Sequence, residues 1–349
     1  MKAQRAGLMV AVLALVPTAM ARAGAESLGG IGILGDSYSD EYQFYPPDRT
    51  TARNWMEILA ATRGLDFGRF SVRSRGEPRN QGYEFNWARS DATTDDLIAT
   101  GQHTGLAAQV ARGQVRIVCI FIGGNDFINA LKAPVPLDAL RGVLPRALSN
   151  YRAAVETIRS ADPQVRLVLA TVPDIRNLPE FAAPLRDGRL PQAVADAFTA
   201  AIARYNAQVQ AIASKDPQIA LLDLDLAVKI GNLVSRDHVY LVGRRLDRIH
   251  PSNAIDHFFL ADVRHPGTVG HGLLARMLVA TLNAKFDAGI APLREDEIHR
   301  IAAAVAAAPP SGDSAGGPEP GLPFGDRGTG QELSASTRVR LVRIISKRK

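Results

Sequence analysis

One cysteine in 349 residues, Cys119, excludes an intramolecular disulfide framework, because a single thiol cannot cross-link its own chain. It lies in the apolar run "RIVCIFI" and is read as a core residue. Histidine is also scarce, with seven in all, and no His/Cys cluster accompanies the acidic pairs Asp95-Asp96 and Asp223/Asp225. Those acids are expected to be helix caps and solvated groups, and no metal is expected. No Gly-x-Ser-x-Gly elbow exists, which argues against the α/β-hydrolase fold, and no Gly-x-x-x-x-Gly-Lys loop exists to cradle phosphate. No run approaches the roughly 20 apolar residues of a membrane-spanning helix, and there is no internal repeat.

The net charge of +6 does not describe the body of the chain. Residues 24–304 hold 31 basic and 31 acidic residues; the excess sits at the two ends. A neutral body lacks the basic face of a nucleic-acid binder, so no nucleic-acid partner is expected. Residues 1–23 read as a signal peptide: Lys2 and Arg5 precede the apolar core "GLMVAVLALV", and "AMARAGA" offers small-residue cleavage sites near Ala21, Ala23 or Ala25. A secreted or periplasmic protein is expected, with no stable membrane insertion after cleavage. Residues 305–349 begin rich in Pro, Gly and Ser and read as a disordered tail. The basic terminus "TRVRLVRIISKRK" leaves room for weak polyanion contact. The five arginines 63, 69, 73, 75 and 79 are read as an exposed loop.

Between these ends, residues 24–304 read as one domain. Four apolar runs of strand length stand out: "GIGIL", "VRIVCIFI" (115–122), "VRLVLATV" (165–172) and "IALLDL" (219–224). Near-continuous apolar runs are what strands covered on both faces look like. Helical patterns at 52–63, 137–162, 193–215 and 271–286 alternate with them, which predicts an α/β sandwich around a parallel sheet. The loops 38–50, 173–190 and 231–260 carry no decodable pattern.

The chemistry-bearing residues fall at the predicted strand ends. "GDSYSDE" follows the first strand and puts Ser37 at the sheet edge where ligands bind in open α/β folds. Its carboxylates Asp36, Asp40 and Glu41 argue against phosphate or flavin there. A serine hydroxyl needs a base and a third group to orient that base. Asp-x-x-His-Pro occurs twice, as Asp247 to Pro251 and Asp262 to Pro266. In each, the Asp can hold the His Nδ1–H and leave Nε2 free. Asp262/His265 is preferred because a glycine-bearing turn and an amphipathic helix follow it directly; His250 then lines the cleft mouth or a surface loop. His257 and His271 read as loop or helix residues. Asn125, in "GGND" after the second strand, can aim its amide at the same crevice, and such an oxyanion donor is worth about 2.7–4 kcal/mol of barrier.

These motifs resemble the SGNH (GDSL-type) hydrolase family. Gly35-Asp36-Ser37, Gly123-Gly124-Asn125-Asp126 and Asp262 to Pro266 match its first, third and last blocks in order, over roughly residues 29–288. The resemblance implies a flavodoxin-like three-layer α/β/α sandwich and a lipase- or esterase-like activity needing no cofactor. Ser37 would be the nucleophile, His265 the base and Asp262 its partner, with Ser37, Asn125 and the second-block residue lining the oxyanion hole. That second-block glycine is replaced by Asp91 in "NWARSDATT". Asp accepts positive φ less readily than Gly, and its carboxylate would repel an oxyanion. The expectation is therefore a secreted serine esterase on small-molecule, glycan or lipid esters; the alternative is a catalytically impaired binding protein on the same fold.

Overall fold

Side-chain alternation along the strands decides the layering. A computed structural model describes residues 28–72 and 81–308. Residues 1–23, most of the 305–349 tail, and Arg73, Arg75 and Arg79 lie outside them. Strand β1 (Gly30–Gly35) is followed by helix α1 (Trp55–Arg63) and the short pair β2 (Phe70–Ser71) and β3 (Gly82–Tyr83). Helices α2 (Thr94–Ala99) and α3 (Gln102–Ala111) lead to β4 (Val115–Phe121), α4 (Gly124–Leu131) and α5 (Pro136–Ala161). Then come β5 (Arg166–Ala170), α6 (Pro179–Arg186), α7 (Gln192–Ser214), β6 (Ile219–Leu222) and α8 (Leu224–Val234). The hairpin β7 (His238–Leu241) and β8 (Arg244–Asp247) precedes α9 (Thr268–Phe286) and α10 (Glu295–Ala306).

The sheet runs β1-β4-β5-β6, every pair parallel. Its outer edge at β1 is not free: Ile33 N–H donates to Phe85 O at 2.9 Å, and Ile33 O accepts Trp87 N–H at 2.9 Å. Val118 and Ile120 of β4 pack with Leu106, Phe127, Tyr151 and Tyr205 on one side. Ile117, Cys119 and Phe121 pack with α1, α9 and α10 on the other. Both faces are thus buried, giving the expected helix–sheet–helix layers. Cys119 sits in the second core, where burial pushes its thiol up to about 12.

The four predicted strands and four predicted helices occupy their expected places within a few residues. Helices α2, α3, α4, α6, α8 and α10 and the β2–β3 and β7–β8 pairs were not legible, and α10 runs two residues past the boundary set at 304. Asp96 caps α2, Asp223 caps α8, and Asp225 pairs with Lys229 at 2.6 Å; no group of acids, histidines and cysteines suited to a metal occurs among the described residues.

Candidate active site

Ser37 lies in the turn that leaves β1 at its carboxyl end. Asp36 builds that turn: its Oδ1 accepts Tyr38 N–H at 3.0 Å, and its carbonyl accepts Ser39 and Asp40 N–H. The chain beyond is fastened by a buried set. Trp55 Nε1 donates to Ser39 Oγ, Asn86 Nδ2 to Ser39 O, and Asn54 Nδ2 to Asp40 O. Asn54 also caps α1 in a reciprocal box with Glu57, whose carboxylate accepts the N–H groups of Asn54, Tyr42 and Gln43. A frame of this kind fixes the Ser37 hydroxyl at the sheet edge.

The turn 262–265 comes in from the far end of the chain. Asp262 Oδ1 accepts the N–H groups of Arg264 and His265, and its Oδ2 lies 2.6 Å from His265 Nδ1. Burial pushes the Asp262 carboxyl up, but the bonds from His265 and the adjacent N–H groups outweigh it and hold it below the ordinary range. His265 Nε2 lies 2.7 Å from Ser37 Oγ. Val263 pays for this wiring with φ 65°, a conformation β-branched residues rarely adopt. Three contacts hold it: Glu180 N–H on Val263 O, Tyr38 OH on Arg264 O at 2.9 Å, and a two-pronged Arg264–Glu180 ion pair with both bonds at 2.9 Å.

Asn125 opens α4 beside this turn and is buried. One of its amide hydrogens goes to Ala92 O at 3.1 Å, which leaves the other. Asp91 takes φ 64°, the left-handed conformation expected of the glycine it replaces. Among the described residues, the N–H groups of Ser37 and Asp91 donate to no protein acceptor. The Asp91 carboxylate is exposed, yet close enough to act on Asp36. Burial first, then Asp126 and Asp91, push the Asp36 carboxyl up to about 7 against the pull of the Tyr38 N–H.

A cavity of about 300 Å³ opens at Ser37 and Asn125 and runs between α8, α9 and the loop after β5. Its walls are mostly apolar and include Phe121, Ile128, Val172, Val228, Leu274 and Met277. His271 also lines it, with Nε2 2.7 Å from Tyr42 OH; burial, with His265 adding, pushes its imidazole down to about 3 and keeps it neutral. Tyr42 and Tyr38 in turn flank His265 at 5.9 and 5.7 Å between ring centres. Sequence reading missed this aromatic surround, since nothing local in "DEYQF" or "GHGLL" points across 229 residues.

The second motif has the same local wiring. Asp247 Oδ1 accepts the N–H groups of Ile249 and His250, and Oδ2 lies 2.9 Å from His250 Nδ1. The His250 side chain is 76% exposed, against 9% for His265, and no serine or threonine hydroxyl bonds to its Nε2 among the described residues. Of the arginine run, Arg63 and Arg69 lie within the described residues; Arg63 is bound bidentately by Glu297 on α10.

The four-stranded parallel sheet between helical layers, with its site at the strand ends, is the α/β fold of SGNH hydrolases. The family model for GDSL-like lipases and acylhydrolases matches residues 31–278, and the chain belongs to that family, hydrolases of ester bonds. Among solved structures, a lipase from a goat rumen metagenome is 16% identical, with 72% of this chain and 97% of that chain covered at a TM-score of 0.44. An extracellular lipase from Streptomyces rimosus is 17% identical, covering 74% and 99% at 0.43. A family 3 carbohydrate esterase from Clostridium thermocellum is 15% identical, covering 75% and 98% at 0.40. No curated protein matches the chain.

Proposed function

We propose that the chain is a serine esterase in which Ser37 attacks the ester carbonyl and His265 takes the Ser37 proton. Asp262 orients the imidazole and stabilises it once charged. The second Asn125 hydrogen and the Ser37 and Asp91 N–H groups receive the oxyanion. His265 then returns the proton to the leaving alcohol, and water, activated by the same imidazole, cleaves the acyl-enzyme. The observation that carries this reading is the continuous chain of 2.7 Å from Ser37 Oγ to His265 Nε2 and 2.6 Å from Nδ1 to Asp262. The apolar cavity at Ser37 favours an ester whose acyl part is apolar. Residues 1–23 are read as an export signal, which would make the protein secreted or periplasmic.

The test is covalent labelling. A serine-directed phosphonate is expected to attach at Ser37, and Ser37→Ala to lose both the label and, by a factor of about 10³ or more, turnover of a p-nitrophenyl ester. Ordinary turnover in that variant would end the reading. A folded wild type inert towards esters across pH 5–9 would favour the binding-protein alternative that Asp91 raises.

A further inference from the structure

Helix α8 is apolar on two faces. Leu224, Ala227, Val228 and Gly231, at helical spacing, face the cavity that opens at Ser37. The outer face carries Leu226, Ile230, Leu233 and Val234, with Leu233 87% and Val234 79% exposed. The β7–β8 hairpin, which follows α8 in the chain, exposes Tyr240 and Val242. Six of the nine large apolar side chains exposed among the described residues lie within 226–242. Four of them share one face of a single helix, and an apolar helix face turned outward is an interaction surface rather than the usual scatter of single apolar residues.

Charge narrows the occupant. Arg236, Arg244 and Arg245 are exposed and form no ion pair among the described residues; Arg245 is register-paired with Tyr240. Lys229 is held by Asp225. The acids of these elements and the loop joining them are Asp225, Asp237 and Asp247, the last bonded to His250, with Glu295 beside them, which accepts Val242 N–H and pairs with Arg276. An outward apolar helix face followed by exposed, unpaired guanidinium groups, with Arg245 on the face of Tyr240 and Arg244 on the other, suits an anionic lipid surface, with the apolar residues among the acyl chains and arginines at headgroup phosphates. A second copy suits it less, since a two-fold contact would bring the same arginines together.

We propose that the outer face of α8 and the β7–β8 hairpin dock on an anionic lipid surface, so that α8 lies between that surface and the cavity at Ser37. The docking stands by itself; its use, delivery of lipid esters to Ser37, rests on the esterase reading above. The test is flotation of the full-length mature protein with vesicles of phosphatidylcholine and phosphatidylglycerol, and with phosphatidylcholine alone. The wild type is expected to float with the mixed vesicles. Leu233→Asp/Val234→Asp is expected to partition at least about tenfold less, while its turnover of a soluble short-chain ester stays unchanged, which also reports its folding. Arg244→Glu/Arg245→Glu is expected to lose the preference for the anionic vesicles. Equal partition of wild type and the Leu233/Val234 variant, no partition of the wild type, or a variant that only loses dimerisation would overturn the proposal. Failure of the esterase reading would show separately, as an active Ser37→Ala protein, and would leave the flotation result intact.

Discussion

His265 and His250 are each held by the same two bonds to an aspartate three residues upstream, from the backbone N–H and Nδ1, and differ in what Nε2 meets. For His265 it is the Ser37 hydroxyl in a buried turn; for His250 it is solvent. An imidazole can raise the nucleophilicity only of a hydroxyl within reach. His265→Ala is therefore expected to lower kcat for a p-nitrophenyl ester by about 10³-fold or more, with His250→Ala within about twofold of wild type; steady-state kinetics on both variants checks this. The two motifs were separable in the sequence only by the glycine turn and helix that follow Asp262. The partner that distinguishes them, residue 37, is 228 positions away, a relation that local pattern does not carry.

At the level of elements, Gly272 is where α9 meets α10. A Cβ added there would lie 2.4 Å from Ile298 Cγ2. Overpacking of this kind costs roughly 1–3 kcal/mol, offset by up to about 1 kcal/mol of helix propensity. Gly272→Ala is expected to lower the Tm, and Gly272→Ala/Ile298→Ala to be less destabilised than the sum of the single variants, measured as a thermal double-mutant cycle. The elements differ in how plainly they were written. β1, β4, β5 and β6 were legible because strands buried on both faces are apolar throughout. α8 was not, since its apolar residues run on directly from those of β6 in "IALLDLDLAV" and no Gly or Pro separates strand from helix. The β7–β8 hairpin turns through Val242 and Gly243, both at positive φ. A Val-Gly pair lacks the Asn-Gly or Asp-Gly signature by which such turns are read. Asp91 shows the converse: an atypical residue in a family position keeps the backbone conformation that the position requires.

Across the molecule, buried carboxyls set the response to pH. Burial pushes Asp36 and Glu57 up to about 7, and Asp126 up to about 6. A carboxyl raised in the folded state contributes stability that is fully present below its unfolded value near 4 and lost as pH rises through about 7. The groups acting on Asp36 are Asp126, Asp91 and Arg264, with the Tyr38 N–H bonded to it. Asp36→Asn keeps an acceptor for that N–H but has no proton to lose. The wild type is thus expected to lose stability relative to Asp36→Asn between pH 4 and 8, by at most roughly 4 kcal/mol, read from denaturant midpoints across that range. One further consequence follows from the edge of the sheet. β1 is flanked by β4 on one side and by the chain at 85–87 on the other, so the amides just ahead of Ser37 should exchange with deuterium only when the whole domain opens. The turn bearing His265 has no strand on either side; single backbone bonds, Leu260 N–H on His265 O and Glu180 N–H on Val263 O, and a few side-chain contacts hold it. On warming, the His265 imidazole should drift from the Ser37 hydroxyl before the sheet melts, and ester turnover should vanish reversibly at temperatures where the far-ultraviolet dichroism is still that of the native protein.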